Sequence, residues 1–503
     1  MFTDEVRLVS IVIRGQKPQF LKPVTGGRSM VRKKIDAGYI SPGVTAVKKR
    51  DYVVVELRHN SKIAFSSRGF AGPADVERPV GALNDVLSTF GVKRIASHFG
   101  LKDTEIRQRV TKAPARMPRT VTASFAHSGF VQVVPRKDAD AKALADRLNR
   151  SKSVWKAMVA PQPVPAALPT GTSLRSRNFE PAQGYLASPP NGIGAMEVWK
   201  SHNAKGQRVT ICDIEGNWNF RHEDLPKGTR KIGGDLIPGL AWEDHGTAVL
   251  GEIVSKPSES GTVGIAHKAR AVTHSAVIAG VWNTAQAIVG AAKYLRRGDV
   301  ILIELQGTGP RGRYVAMQYW DDVFSAIRFA TDRGITVVEA AGNGDENFNL
   351  RIFNGTGLQK DSGAIVVGAG VPPTNWFDYF QNYGFINVPR SRIWFSNYGR
   401  IVNVQAWGWH VTTLGYGDAQ GGKNKNRWYT HRFSGTSSAS PIVTGAVACI
   451  QGRAWRRRGS PLTPAQVRSL LIKTGTPQVA GRGVPVSQHI GPQPNLPRAL
   501  RYV

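Results

Sequence analysis

The sequence predicts an α/β layered domain with a mainly parallel sheet, preceded by a small α+β domain. Three observations predict it. From residue 205 onward, apolar strand-like runs alternate with helical patterns. Between residues 52 and 160 the elements read in the order βαββαβ. A Pro-, Ser- and Gly-rich stretch lies between the two. At 503 residues the chain has room for two or three domains, and with 41% hydrophobic and 20% charged residues it can bury a core, which excludes wholesale disorder.

The elements follow in order. Residues 1–51 read as a basic extension with SPG and TGG turn signals and little apolar periodicity. DYVVVELR is a strand, and VGALNDVLSTFG places Val80, Leu83, Val86, Leu87 and Phe90 at helical spacing. VKRIASHF is a strand, followed by the basic, Pro-containing TKAPARMPRT. SGFVQVVP is a strand, DADAKALADRLNRS a helix with acids at its start, and VWKAMVAP a final strand. This order predicts a ferredoxin-like sandwich over 52–160, with both helices on one face of an antiparallel sheet. Residues 161–190 read as a linker and 191–503 as the second domain.

In that second domain RVTICDI is a buried-strand run, HGTAVLGEIV a helix, AVTHSAVI a strand and TAQAIVGAAKYLRR a helix. DVILIEL is a strand, VFSAIRFATDRG a helix closed by Gly334, and ITVVEAAG and AIVVGAG are strands. The small-residue run TSSASPIVTGAVACIQGRAW is a central helix, with Pro441 placed in its first turn. Such a sheet takes ligands outside the carboxyl ends of its strands, so polar residues there are the ones to follow.

Charge narrows the partner classes. The chain carries 67 Lys plus Arg against 35 Asp plus Glu, a formal balance of +32. Residues 1–160 hold 30 basic and 13 acidic residues, so the front third carries +17 of it. Clustered cations can bind a polyanion, but these are dispersed and no helix-turn-helix, zinc-finger or RNA-binding signature accompanies them. A nucleic-acid-binding regulator on a peptidase-like scaffold is the competing reading; a solvated basic surface is the plainer one. Cys212 and Cys449 are too few for a disulfide framework or a Cys-rich zinc site. No run reaches the roughly 18 apolar residues of a membrane span. The amino terminus carries no signal-like region, which predicts a cytoplasmic location.

Three segments put a reactive side chain beside glycines at strand–helix junctions: ICDIEGNW with Asp213, EDHGTAVLG with His245, and FSGTSSASP with Ser437. Each has a plain structural explanation alone, as a turn cap, a packed histidine or a helix start. Together they supply a nucleophile, a base to take its proton and a carboxylate to fix the base's tautomer.

The order Asp, His, Ser on an alternating α/β scaffold resembles the subtilases, the subtilisin-like serine peptidases. HGTAVLG is similar to that family's histidine motif, GTSSASP to its serine motif, and ICDIEG with HEDL at 222–225 to its aspartate region. FSNYG at 395–399 and LTPAQVRSLLIKTG at 462–475 match further landmarks, so the resemblance covers about Gly192 to Leu500. It implies a subtilisin-like layered domain and a serine endopeptidase with the triad Asp213, His245 and Ser437. It implies an oxyanion-hole role for Asn343 in EAAGNGD, together with the Ser437 backbone N–H. It implies that Leu305, Gln306 and Gly307 pair the substrate backbone by strand addition.

The expected partner is a protein or peptide substrate. No cofactor is required, the family leaves room for structural calcium, and the oligomeric state stays open. The 52–160 unit resembles the family's propeptide, which implies an inhibitor and folding chaperone and a self-processed precursor. The sequence departs from the pattern at Ile214-Glu215 after Asp213, at Ala248, Ser438 and Ile442, and at Trp407 where a proline is usual. Glu304, Asp345, Glu346 and Asp361 fall near cleft-lining segments. One of them could select a basic side chain before the cut; surface charge or a calcium ligand are the alternatives.

Overall fold

A computed structural model describes residues 52–57, 64–66, 69–71, 77–98, 130–136, 139–160, 177–373 and 388–503. The extension at 1–51, the basic insertion near 101–120 and residues 161–176 of the expected linker lie outside the described residues.

The front unit holds strand β1 (Val53–Leu57), the hairpin β2 (Ala64–Ser66) and β3 (Gly69–Ala71), helix α1 (Glu77–Thr89), β4 (Arg94–Ser97), β5 (Phe130–Val134), α2 (Ala141–Leu148) and β6 (Val154–Val159). Four strands form an antiparallel sheet in the order β4-β5-β1-β6. Asp140 caps α2, its carboxylate accepting from the N–H groups of Lys142 and Ala143. Strand β1 is apolar at every position but Glu56, as a strand covered on both faces must be. Val53, Val55 and Leu57 pack with Leu83, Leu87, Leu144 and Leu148 of the unit's own helices. Tyr52, Val54 and Phe130 face the other way, into the core of the larger layer.

That layer begins with α3 (Ala195–Ser201) and β7 (Thr210–Glu215), then β8 (Arg230–Gly233), α4 (Leu240–Val254) and β9 (Arg270–Ser275). The two-residue strands β10 (Val277–Ile278) and β11 (Val281–Trp282) lead to α5 (Thr284–Tyr294) and β12 (Val300–Ile303). The hairpin β13 (Gln306–Thr308) and β14 (Tyr314–Ala316), α6 (Asp321–Asp332), β15 (Thr336–Ala340), β16 (Ile365–Gly370) and β17 (Val402–Trp407) follow. A hairpin of β18 (Val411–Leu414) and β19 (Tyr429–Phe433) precedes the long α7 (Thr436–Arg458), then α8 (Pro464–Thr474) and α9 (Leu496–Ala499) close the chain.

Seven strands lie in the order β17-β16-β15-β12-β7-β9-β8, every pair parallel. The chain leaves β7 toward β9 and later crosses back to β12, so the β7/β12 seam is where the winding reverses. In open parallel sheets that seam is where ligand sites form. Alternation sends Ile211, Val300 and Leu302 into one core with α4 and α7, and Cys212, Ile214, Ile301 and Ile303 into the other with α5 and α6.

Three boundaries differ from the sequence reading. Helix α4 starts at Leu240, so His245 sits inside the helix rather than at its start. Helix α7 starts at Thr436, which puts Pro441 in its second turn. From Phe179 on, the stretch read as linker contributes Phe179, Tyr185 and Leu186 to the large core; its Pro and Ser residues mark turns, not independence.

The small sheet and the layered domain belong to one compact unit. Tyr52 Oη donates to the Trp282 carbonyl. Asn283, which caps α5, donates to the His98 carbonyl at 2.8 Å. The acids opening α6 add two contacts: Asp322 with His98 Nε2 at 2.5 Å and Asp321 with Lys156 Nζ at 2.5 Å. Lys156 lies directly across from Glu56 in the sheet. Burial, with Asp321 and Asp322 nearby, pushes the Glu56 carboxyl from about 4.5 up to about 7, against the pull of Lys156 and Lys360.

A carboxyl with a raised native pKa binds its proton more tightly folded than unfolded. Stability is therefore lost as pH rises from about 4.5 to about 7 and levels off above. The loss amounts to at most roughly 3 kcal/mol. Glu56→Gln should flatten this part of the thermal-melting profile between pH 5 and 7.5, and a slope equal to that of the wild type would contradict the placement.

Candidate active site

The site is built at the carboxyl ends of β7 and β12 and the amino end of α7. On β7, Asp213 and Glu215 share the α4/α7 face with Ile211, because same-face positions repeat every second residue. They also lie about 6.6 Å apart along the strand, so they cannot both meet one imidazole edge. Glu215, the last residue of the strand, does so: its Oε1 lies 2.6 Å from His245 Nδ1 as a close contact outside hydrogen-bond angles, with both side chains fully buried, and burial lifts the Glu215 carboxyl well above its usual range.

Asp213 is one pleat deeper, and its Oδ2 accepts the Trp218 indole N–H at 2.7 Å. The sequence expectation that Asp213 holds the histidine is therefore corrected by the side-chain placement. Burial, then the neighbouring Glu215, hold the Asp213 carboxyl well above its usual range, with the Trp218 hydrogen bond opposing.

Two glycines make the approach possible. A Cβ on Gly216 would stand 2.6 Å from the Trp242 ring. One on Gly246 would stand 2.3 Å from the Asn217 carbonyl, so the glycine lets α4 close on the loop after β7 and bring His245 to Glu215. Burial pulls the His245 imidazole down to about 4, opposed by Asp213, so the ring is neutral at pH 7. Its face meets the Phe433 ring edge-on, centroids 5.4 Å apart, four residues before Ser437.

Ser437 is the second residue of α7 and fully buried. The preceding cap residue, Gly435, has φ 107°, which side-chain-bearing residues avoid. Thr436 N–H and Oγ1 both donate to Asn343 Oδ1, at 2.9 and 3.0 Å. That fixes the amide's orientation and leaves Nδ2 as its donor end. The Asn343 N–H in turn donates to Gln306 Oε1 at 2.8 Å.

Gln306 and Gly307 lie in β13, paired along one edge with β14, and Leu305 is fully buried beside them. Gln306 thus braces the Asn343 loop. Ser438 Oγ donates to the Trp407 carbonyl at 3.0 Å, and the Trp407 indole donates to the Asn191 carbonyl at 2.8 Å, so two departures from the family pattern are packing partners.

Of the four acids read as selectors, three are held by arginines: Asp345 by Arg392 at 2.9 Å, Glu346 beside Arg311 at 3.6 Å, and Asp361 by both Arg468 nitrogens at 2.6 and 2.7 Å. The fourth, Glu304, is buried among Ser440, Asp213 and Glu215. Among the described residues no three His, Cys, Asp or Glu side chains converge as a metal would require. No described helix is long and apolar enough to cross a membrane.

The Subtilase family model matches residues 212–491, more than half of the chain. The chain belongs to the subtilase family. Subtilisin-like protease 2 of Trichophyton rubrum is 30% identical over 277 residues, covering 53% of this chain and 56% of that protein. Extracellular serine proteinase of Thermus sp. (strain Rt41A) is 31% identical over 303 residues, covering 57% and 60%. The chain thus spans somewhat over half the length of these curated relatives. Fervidolysin of Fervidobacterium pennivorans, a keratinolytic enzyme related to subtilisin, shares the fold with a TM-score of 0.52 at 17% identity, over 92% of this chain and 62% of that one. The parallel seven-stranded layer is accordingly that of a subtilase.

The Asp-to-Glu exchange had a signal in the sequence. A glycine follows the acid directly at Glu215-Gly216, whereas Asp213 is followed by a bulky isoleucine.

Proposed function

We propose that this subtilase is a serine endopeptidase working through an acyl-enzyme on Ser437, with His245 as base and Glu215 as the carboxylate that orients it. The observation that carries the reading is the buried Glu215–His245 pair at 2.6 Å, with the His245 ring packed on Phe433 just before the Ser437 helix.

With Nδ1 turned to Glu215, the imidazole offers Nε2 to the Ser437 hydroxyl. Oγ attacks the scissile carbonyl carbon as its proton passes to Nε2, and the carbonyl electrons move onto oxygen. Asn343 Nδ2 and the Ser437 N–H are the donors suited to that oxyanion. The imidazolium, steadied by Glu215, protonates the leaving amine. Water, deprotonated by the same nitrogen, then releases the acyl group and restores Ser437. Losing the Asn343 amide in Asn343→Ala should lower kcat by about 10²–10³ with KM little changed, a magnitude taken from subtilisin within the same family. An unchanged kcat would remove Asn343 from the reaction.

The front unit, residues 52–160, is proposed to keep the enzyme latent until cut. Two features support this. Its sheet buries Tyr52, Val54 and Phe130 against the layered domain, and the aspartates opening α6 hold His98 and Lys156. Ser437 and His245 are both at 0% exposure, so a polypeptide reaches them only after something covering them moves.

The test is incubation of the full chain with a fluorophosphonate probe, followed by mass analysis. The expected result is a single adduct on the peptide containing Ser437, growing as the chain shortens within 161–190. No adduct at any stage would refute the activity. An adduct on a chain that never shortens would refute the latency.

A further inference from the structure

Glu304 stands just past β12, where its N–H donates to the Ile214 carbonyl at 3.3 Å and sets it next to Glu215 on the neighbouring strand. It falls on the α4/α7 face, opposite in direction to Ile303. There Ser440 Oγ donates to Glu304 Oε1 at 2.5 Å. Ser440 is three residues after Ser437 on α7, so the two hydroxyls share one side of the helix. Glu304 Oε2 and Ser437 Oγ are both buried, and neither makes a hydrogen bond of ordinary geometry.

Among the described residues the charged groups acting on Glu304 are acidic, Asp213 and Glu215 on β7 and Glu252 on α4, with His245 against Glu215. Glu339 on β15 lies opposite Ile303 and is turned to the other face, where it accepts the Gln318 N–H at 2.7 Å. Carboxyls this close and this dry cannot all ionise. Burial lifts the Glu215 carboxyl too, but Glu304 has Asp213 and Glu215 beside it in addition to its burial, so Glu304 keeps its proton.

We infer that Glu304 acts as a positioning residue for Ser437, in its neutral form. Ser440 occupies Oε1, so the proton belongs on Oε2, which then donates to Ser437 Oγ and leaves that hydroxyl's own hydrogen to point at His245. Ionised, Glu304 can only accept, and it draws the same hydrogen away from the base. The site therefore has a built-in alkaline limit. Burial, Asp213 and Glu215 lift that limit, while the Ser440 and Ser437 hydroxyls lower it.

This rests on the peptidase reading, and the rate of fluorophosphonate labelling of the processed enzyme against pH separates the two. Wild type should lose about tenfold in rate per pH unit above the limit. Glu304→Gln, whose amide both accepts from Ser440 and donates to Ser437 but has no proton to lose, should lack the alkaline fall whatever its rate on the acid side. Ser440→Ala removes a donor to the ionised form and should move the fall up by about one pH unit. A wild type that never labels overturns both readings. Labelling with an alkaline fall that neither variant moves overturns the role of Glu304 alone. If the glutamine variant does not fold, the direction of the Ser440→Ala shift decides.

Discussion

Glu215→Gln should lower kcat by about 10⁴-fold, while Asp213→Asn costs less than about tenfold. The first figure is the scale on which serine peptidases lose turnover when the group that fixes the imidazole tautomer becomes an amide. A glutamine at 215 keeps the volume beside His245 but presents a neutral group at 2.6 Å from Nδ1, so the imidazolium loses its counter-charge in a fully buried place. Asp213 spends its oxygen on the Trp218 indole, and an asparagine oxygen accepts that N–H equally well. Steady-state kinetics on a short peptide, with circular dichroism melts to confirm folding, make the comparison. Equal losses for the two variants, or the larger loss at Asp213, would return the orienting role to Asp213.

Ser437→Ala should remove turnover by roughly 10⁶-fold and abolish probe labelling. It should also leave the chain at full length after incubation under conditions in which the wild type shortens. The substitution removes one small hydroxyl at the start of a helix, and alanine suits a helix. Retained peptidase activity in the variant would place the nucleophile elsewhere. Shortening of the variant by itself, free of added wild type, would show that another mechanism cuts the front unit.

Much of this architecture was readable before any coordinates. Five of the seven parallel strands, β7, β9, β12, β15 and β16, and the small-residue helix α7 follow from apolar runs punctuated by helical periods, whereas the edge strands β8 and β17 carry no such run. His245, Ser437 and Asn343 were each marked by glycines, because close approach of backbones needs them. The choice between Asp213 and Glu215 was harder. Both point to one face, and only the position of the strand's end, together with the room Gly216 gives Trp242, decides which meets the histidine.

Glu304 was legible only as an acid near the cleft. Its neighbours come from β7, α4 and α7, up to 136 residues away for Ser440, and no local pattern encodes that meeting. The linker boundary failed for a similar reason. Proline and serine around Phe179 describe the turns, whereas burial there is set by the distant layer.

Consider finally the strand β1, apolar on both sides. A freed front unit would present Tyr52, Val54 and Phe130 to water, at about 1.5–3 kcal/mol for each large side chain uncovered. Once severed, such a fragment is a poorer fold and a better substrate than the docked one, and the enzyme it has left is the nearest peptidase. Under the latency proposed above, activation would run in one direction, with the inhibitor destroyed by what it restrained, so each molecule would be switched on once and its latency renewed by synthesis.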